Sequence, residues 1–131
     1  MHFRLSHQPV EFDIPDEWLV AAGMTGFSPT AHAYVASSCD QYPTLVVPLQ
    51  EVAAPTRNKG VTWFHKDRMV PILHGFRNGD ALPPIEVDEP PNKSGLRFRV
   101  RDGFHRFYAS VAVGFSHLPV SVRPYFDINA L

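Results

Sequence analysis

The stretch RFRVRDGFHRFYASVAVG, residues 97–114, decides how this chain folds. Its first part, Arg97-Phe98-Arg99-Val100-Arg101, alternates charged and apolar residues with the period of two that marks a strand. Phe98 and Val100 are expected to face a core, and the three arginines to face outward. Past Asp102-Gly103 the period changes: Phe104, Tyr108, Val111 and Phe115 recur on one helical face, and Gly114 ends it. A strand thus runs into a helix through a glycine, which takes positive φ at little cost and lets a ligand approach the backbone. The first amides of such a helix have no internal partners and carry the positive end of its dipole, so the junction suits an anion. His105 and Arg106 in the first turn add donors, and the guanidinium fork of Arg106 fits phosphate oxygens. A plainer reading has Asp102 capping the helix, with His105 and Arg106 solvated. The residues alone leave these two readings level.

Working outward, Leu82-Pro83-Pro84-Ile85-Glu86-Val87 predicts a proline-led strand before the turn-rich residues 88–95, and Leu118-Pro119-Val120-Ser121-Val122 a closing strand. Met69, Ile72, Leu73 and Phe76 follow helical spacing. Asp67 is the expected N-cap, which places Pro71 within the first turn, and Asn78-Gly79 is the stop. Leu45 to Leu49 predicts a short strand that Pro48 pushes to an edge or an end. The order strand–helix–strand–strand–helix–strand indicates a small mixed α/β (α+β) fold. Ahead of it, Val10 to Ile14 predicts a strand, Asp16 to Ala22 a short helix entered through Pro15, and residues 23–42 loop. The break near Pro43 divides the chain into an N-terminal extension, 1–42, packed on a core domain, 43–131, together one globular unit.

Composition narrows the function classes. The chain has 131 residues, 44% hydrophobic and 19% charged, which suits one folded domain rather than a disordered segment. A formal net charge of -1 lacks the basic footprint of a protein that grips duplex DNA mainly by its phosphates. A local patch is still available: Arg97, Arg99 and Arg101 lead towards Arg106, with Arg57, Lys66 and Arg68 as further cations, and solvated arginines carry equal weight. Cys39 is the single cysteine, so no internal disulfide and no CxxC site exist. No stretch approaches the ~20 apolar residues of a membrane span, so the expected compartment is reducing cytoplasm with no membrane partner. The seven histidines are scattered without HxH or HxxxH spacing, and no metal site is assigned to them. Arg57-Asn58-Lys59-Gly60 lacks Walker spacing, and Ser110 sits beyond the turn with no triad partners. Most aromatics fall on apolar phases. Phe104, in the turn itself, is the exception, placed to stack on a base or seal a pocket.

The segments LPPIEV, RFRVRDGFHRFYA and GFSHLPVSV, in that order and spacing, resemble the ParB/sulfiredoxin superfamily, including its nuclease-annotated ParB-like domains. The similarity runs from about Val47 to Val122. It implies a small mixed sheet with helices in which Gly103, His105 and Arg106, flanked by Asp102 and Phe104, bind nucleotide phosphates, ATP or CTP, with Mg²⁺. It also implies supporting cations at Lys66 and Arg57. The departures are specific. Sulfiredoxins carry their catalytic cysteine where this chain has Phe104, and CTP-hydrolysing partition proteins carry a glutamate there, so sulfinic acid reduction is not expected. Asp102 either holds Mg²⁺ near the phosphates or only caps the helix. The resemblance implies nucleotide binding, with Mg²⁺-dependent phosphoryl transfer or hydrolysis as its catalytic form. The alternatives are a DNA- or RNA-binding, nuclease-like module using the same cleft, and a non-enzymatic domain whose N-terminal residues contact a protein partner.

Overall fold

The computed structural model describes residues 1–37, 41–91 and 95–125. Cys39 lies outside them. The main sheet is built from β3 (Thr44–Pro48), β4 (Val52–Ala53), β5 (Ile85–Asp88), β6 (Phe98–Asp102) and β7 (His117–Val122), in the order β3-β7-β5-β6-β4. β7 runs antiparallel to β3 and parallel to β5, and β6 runs antiparallel to β5 and parallel to β4. The two long helices, α2 (Lys66–Asn78) and α3 (Phe104–Val113), pack against each other. Mixed pairing and two helices give an α+β fold. As Pro48 suggests, β3 is an edge strand. β4 is too short to show a period in the sequence.

At the N-terminus, β1 (His2–Arg4) and β2 (Glu11–Asp13) form a separate antiparallel pair, followed by α1 (Asp16–Ala21). β2 and α1 match the sequence pattern, whereas β1 has one apolar residue and gives none. Phe3 and Phe12 lie opposite each other and stack, with centroids 5.2 Å apart. Phe12 then meets the edges of Phe64 and Tyr108, which fixes this hairpin to the helical side of the core. Between α1 and β3 the described residues form loop with one bridge, Ala36 to Leu82.

The core sits between the sheet and the helices. Ile85, Val87, Leu118 and Val120 are fully buried on the two central strands, and Met69, Leu73, Phe107 and Tyr108 cover them from α2 and α3. Each such side chain contributes roughly 1.5–3 kcal/mol by leaving water. The helix of α2 starts earlier than Asp67 predicts. His65, in extended conformation at φ -113 and ψ 130, is its N-cap, and Asp67 sits in the first turn without capping. The cause is tertiary: the His65 amide donates to His105, which holds residue 65 extended just ahead of the helix. Pro71 consequently falls in the second turn, where the Asp67 carbonyl receives no helical amide. Gly79 and Gly114 end α2 and α3 as their positions predict.

Candidate phosphate-binding cleft

β6 enters α3 through Gly103, whose φ of 112 lies in the region that favours glycine. A Cβ at this position would stand 3.2 Å from Ile85 Cγ1 and 3.3 Å from Cγ2, both fixed in the core. Helix and central strand therefore approach as closely as they do because residue 103 has no side chain. Gly103 is itself the N-cap, and no side chain caps the helix. The capping role considered for Asp102 is absent; its carboxylate is largely exposed, with Oδ2 3.6 Å from Arg106 Nη2.

The uncapped helix end opens into a cleft of about 540 Å³, a volume in the range of small-molecule sites. Its walls come from the loop after β4, the start of α2, the end of β6 and the start of α3. Arg57, Arg68, Arg101 and Arg106 line it, and among the described residues Asp102 is its single carboxylate. Thr56, Thr62 and His65 add polar groups.

These cations differ in how they are held. Arg106 is largely buried, and its Nη1 donates to the carbonyls of Pro83 at 2.7 Å and Pro84 at 2.9 Å. It fastens α3 to the entrance of β5. Arg101 donates from Nη1 to Asp88 Oδ2 at 3.0 Å. Asp88 is fully buried and also accepts both arms of Arg99, at 3.1 and 2.7 Å. Arg57 lies over the Phe104 ring, its Cζ 3.9 Å from the centroid, and its Nε is buried with no hydrogen-bond partner among the described residues. Among the described residues neither Arg57 nor Arg68 has an acidic partner.

His105 is buried, and its Nε2 accepts the His65 amide at 3.0 Å. Burial, reinforced by the nearby charges of Arg57, Arg68 and His65, lowers its pKa from 6.5 to about 4. The ring is neutral at physiological pH, and a neutral ring accepting at Nε2 carries its proton on Nδ1. His105 locks the start of α2 to the start of α3 rather than bringing a positive charge to the cleft. Phe104, in edge-on and tilted contact with Trp63, Phe64 and Tyr108, supports Arg57.

No family model and no curated protein matches the chain. Solved structures do. The C-terminally truncated chromosome-partitioning protein ParB from Caulobacter crescentus, complexed with CTP-gamma-S, matches with a TM-score of 0.50 and 19% identity, over 65% of this chain and 46% of that one. Sulfiredoxin from Arabidopsis thaliana matches with a TM-score of 0.50 and 17% identity, over 63% of this chain and 85% of that one. The fold is ParB/sulfiredoxin-like. Identities this low speak to the fold alone, and the chain spans less than half the length of the partition protein.

Within this ParB/sulfiredoxin-like core, Arg57, Asp102, Gly103, Phe104, His105 and Arg106 all line the one cleft, although Arg57 lies far from the rest in sequence. Lys66 does not line it. It sits on the first turn of α2 beside a separate shallow depression that also includes Asp67, Val70 and Pro71. Thr56 and Thr62, with no period or motif around them, are lining residues that the sequence does not single out. Among the described residues no helix is long and apolar enough to cross a membrane.

Proposed function

We propose that the cleft at the β6–α3 junction binds the phosphates of a nucleoside triphosphate. The observation that carries this reading is an uncapped helix N-terminus opening into a cleft where Arg57 and Arg68 have no acidic partner among the described residues. Free amides and unpaired guanidiniums in one concave site are the donors that phosphate oxygens accept from. The partition protein of the same fold holds CTP-gamma-S, which supports a nucleotide over a simpler anion. Any phosphoryl transfer or hydrolysis here would rest on positioning and charge neutralisation. Nε2 of His105 is occupied by the His65 amide and is not free to serve as a base.

Mg²⁺, which the resemblance implies, needs oxygen ligands and at protein sites uses one or two carboxylates beside the phosphates. Among the described residues the cleft lining offers one carboxylate, Asp102, already facing Arg106, besides the neutral hydroxyls of Thr56 and Thr62, and the residue after Gly103 is the apolar Phe104. Among the described residues no group of three His, Cys, Asp or Glu side chains could hold a metal. One exposed carboxylate that already faces a guanidinium does not fit a Mg²⁺ held by the protein itself, without phosphates bound beside it.

A thermal-shift series with ATP, CTP, GTP and UTP tests the reading. A nucleotide at ~100 Kd should stabilise the fold by about 2.7 kcal/mol. Arg68→Ala should abolish the shift. Arg68 is the better probe because it is exposed, whereas Arg106 holds two backbone carbonyls and its loss would perturb the fold. No shift with any nucleotide overturns the proposal. Binding of an oligonucleotide instead, with affinity falling steeply as salt rises, would move the site to nucleic-acid phosphates.

A further inference from the structure

The charges around the cleft are unequally matched, and this bears on the form of the ligand. Arg106 has its Nη1 on the Pro83 and Pro84 carbonyls and its charge facing Asp102 at 3.6 Å, and Arg101 pairs with Asp88. Among the described residues nothing acidic pairs with Arg57 or Arg68, one on the loop before α2 and the other on its first turn. Arg57 is also held in place. Its guanidinium lies on Phe104, and its buried Nε has no partner. A cation so placed is partly desolvated, which strengthens its attraction for an anion. The residue beneath it is an aromatic ring, where a carboxylate would have neutralised it.

We infer that the cleft selects the metal-free form of a polyphosphate, with Arg57 and Arg68 neutralising the charge that a divalent cation would otherwise neutralise. The inference rests on the phosphate-binding reading above. A dication on the phosphates would share the cleft with two guanidiniums and find, among the described residues, one carboxylate that already faces Arg106, so the protein would add repulsion and few ligands of its own. Mg²⁺ added in solution should therefore compete with the protein for the free polyanion. The ligand class is an organic polyphosphate unaccompanied by metal. Phe104 sets this preference, because a carboxylate in its place would pair with Arg57 and supply an oxygen ligand for a metal.

Isothermal titration calorimetry of the full chain with CTP and ATP, in EDTA and in excess Mg²⁺, tests this. The expected result is binding in EDTA about tenfold tighter than in Mg²⁺, which corresponds to about 1.4 kcal/mol. Equal affinity in the two buffers, or tighter binding with Mg²⁺, overturns the inference while leaving the phosphate site standing. Absence of binding in both buffers overturns the proposed function itself. Inorganic tripolyphosphate in the same buffers separates the sources: binding like that of CTP supports recognition of the phosphate chain, and binding by nucleotides alone supports recognition that includes the nucleoside. Phe104→Glu should weaken binding in EDTA at least about tenfold and make the residual binding depend on Mg²⁺. Unchanged metal-free affinity in that variant, or in Arg68→Ala should Phe104→Glu fail to fold, overturns the inference.

Discussion

Two sets of arginines face outward from this small fold and are used in opposite ways. On β6, Arg97 pairs with Glu89 and Glu51, and Arg99 and Arg101 close on the buried carboxylate of Asp88. Around the cleft, Arg57 and Arg68 have no acidic partner among the described residues. Exposure does not distinguish the sets, since Arg99 is 52% and Arg101 43% exposed. The partner does. Arg99 and Arg101 satisfy a charge the fold has already buried, so they belong to its stability, while Arg97 pairs with partly exposed carboxylates. Those of the cleft add unbalanced charge beside a helix dipole of the same sign, an arrangement that favours an incoming anion.

The contrast can be broken most forcefully on the β6 side. Arg99→Ala combined with Arg101→Ala leaves Asp88 buried without a cation and should cost about 3 kcal/mol or more. Urea unfolding measures it, and a loss below about 1 kcal/mol would put the two sets on the same footing. Asp88→Asn should cost less, because the half-exposed guanidiniums simply return to water. Next in size is Gly103→Ala, where positive φ and the Ile85 contacts together should cost about 1–3 kcal/mol. An unchanged urea midpoint would show that helix and strand can separate at no cost.

A pH titration sharpens the comparison at the helix junction. His105 titrates at about 4 in the folded chain against 6.5 ordinarily, so below 6.5 the unfolded state binds the proton first. Its contribution is complete above pH 6.5, declines as pH falls from 6.5 towards 4, and is flat below. The slope is at most about 1.4 kcal/mol per pH unit. His105→Gln keeps an acceptor for the His65 amide and should remove that slope; parallel curves for the two proteins would refute the assignment. His2 has the opposite sign, since Asp13 and Glu11 raise its pKa, but it is fully exposed and its pairs are solvent-screened. The smallest effect belongs to Arg68→Ala, which should change stability by less than about 0.5 kcal/mol while removing nucleotide binding.

The elements that pack on a periodic apolar face were legible in the sequence: α2, β6, α3 and β7 all follow from spacing and end signals. Most of the cleft was legible too, because the Gly103 junction is local. What each polar side chain does there was not. Arg106 and His105 read as phosphate donors, and nothing local signals that one also meets carbonyls over twenty residues earlier and the other an amide forty residues earlier. The Asp88 cluster was hidden for the same reason. A register shift between Glu86 and Val87 brings Asp88 opposite Arg99, and a turn-rich sequence gives no sign of it. Asp67 has the composition of a cap, yet the tertiary bond to His65 set the helix start instead.

The sheet order also governs how the chain must come together in time. β3, at residues 44–48, takes its ladder from β7, at residues 117–122, and β5 has β7 on one side. Such distant pairing carries a large loop-closure cost and slows folding compared with local hairpins. Until the last strand docks, Leu45 and Val46 lie on an unpaired apolar edge, and even in the finished fold they are 44% and 59% exposed. A nascent chain halted before His117 therefore presents a sticky strand with no partner, and chaperone capture or aggregation should concentrate on that intermediate.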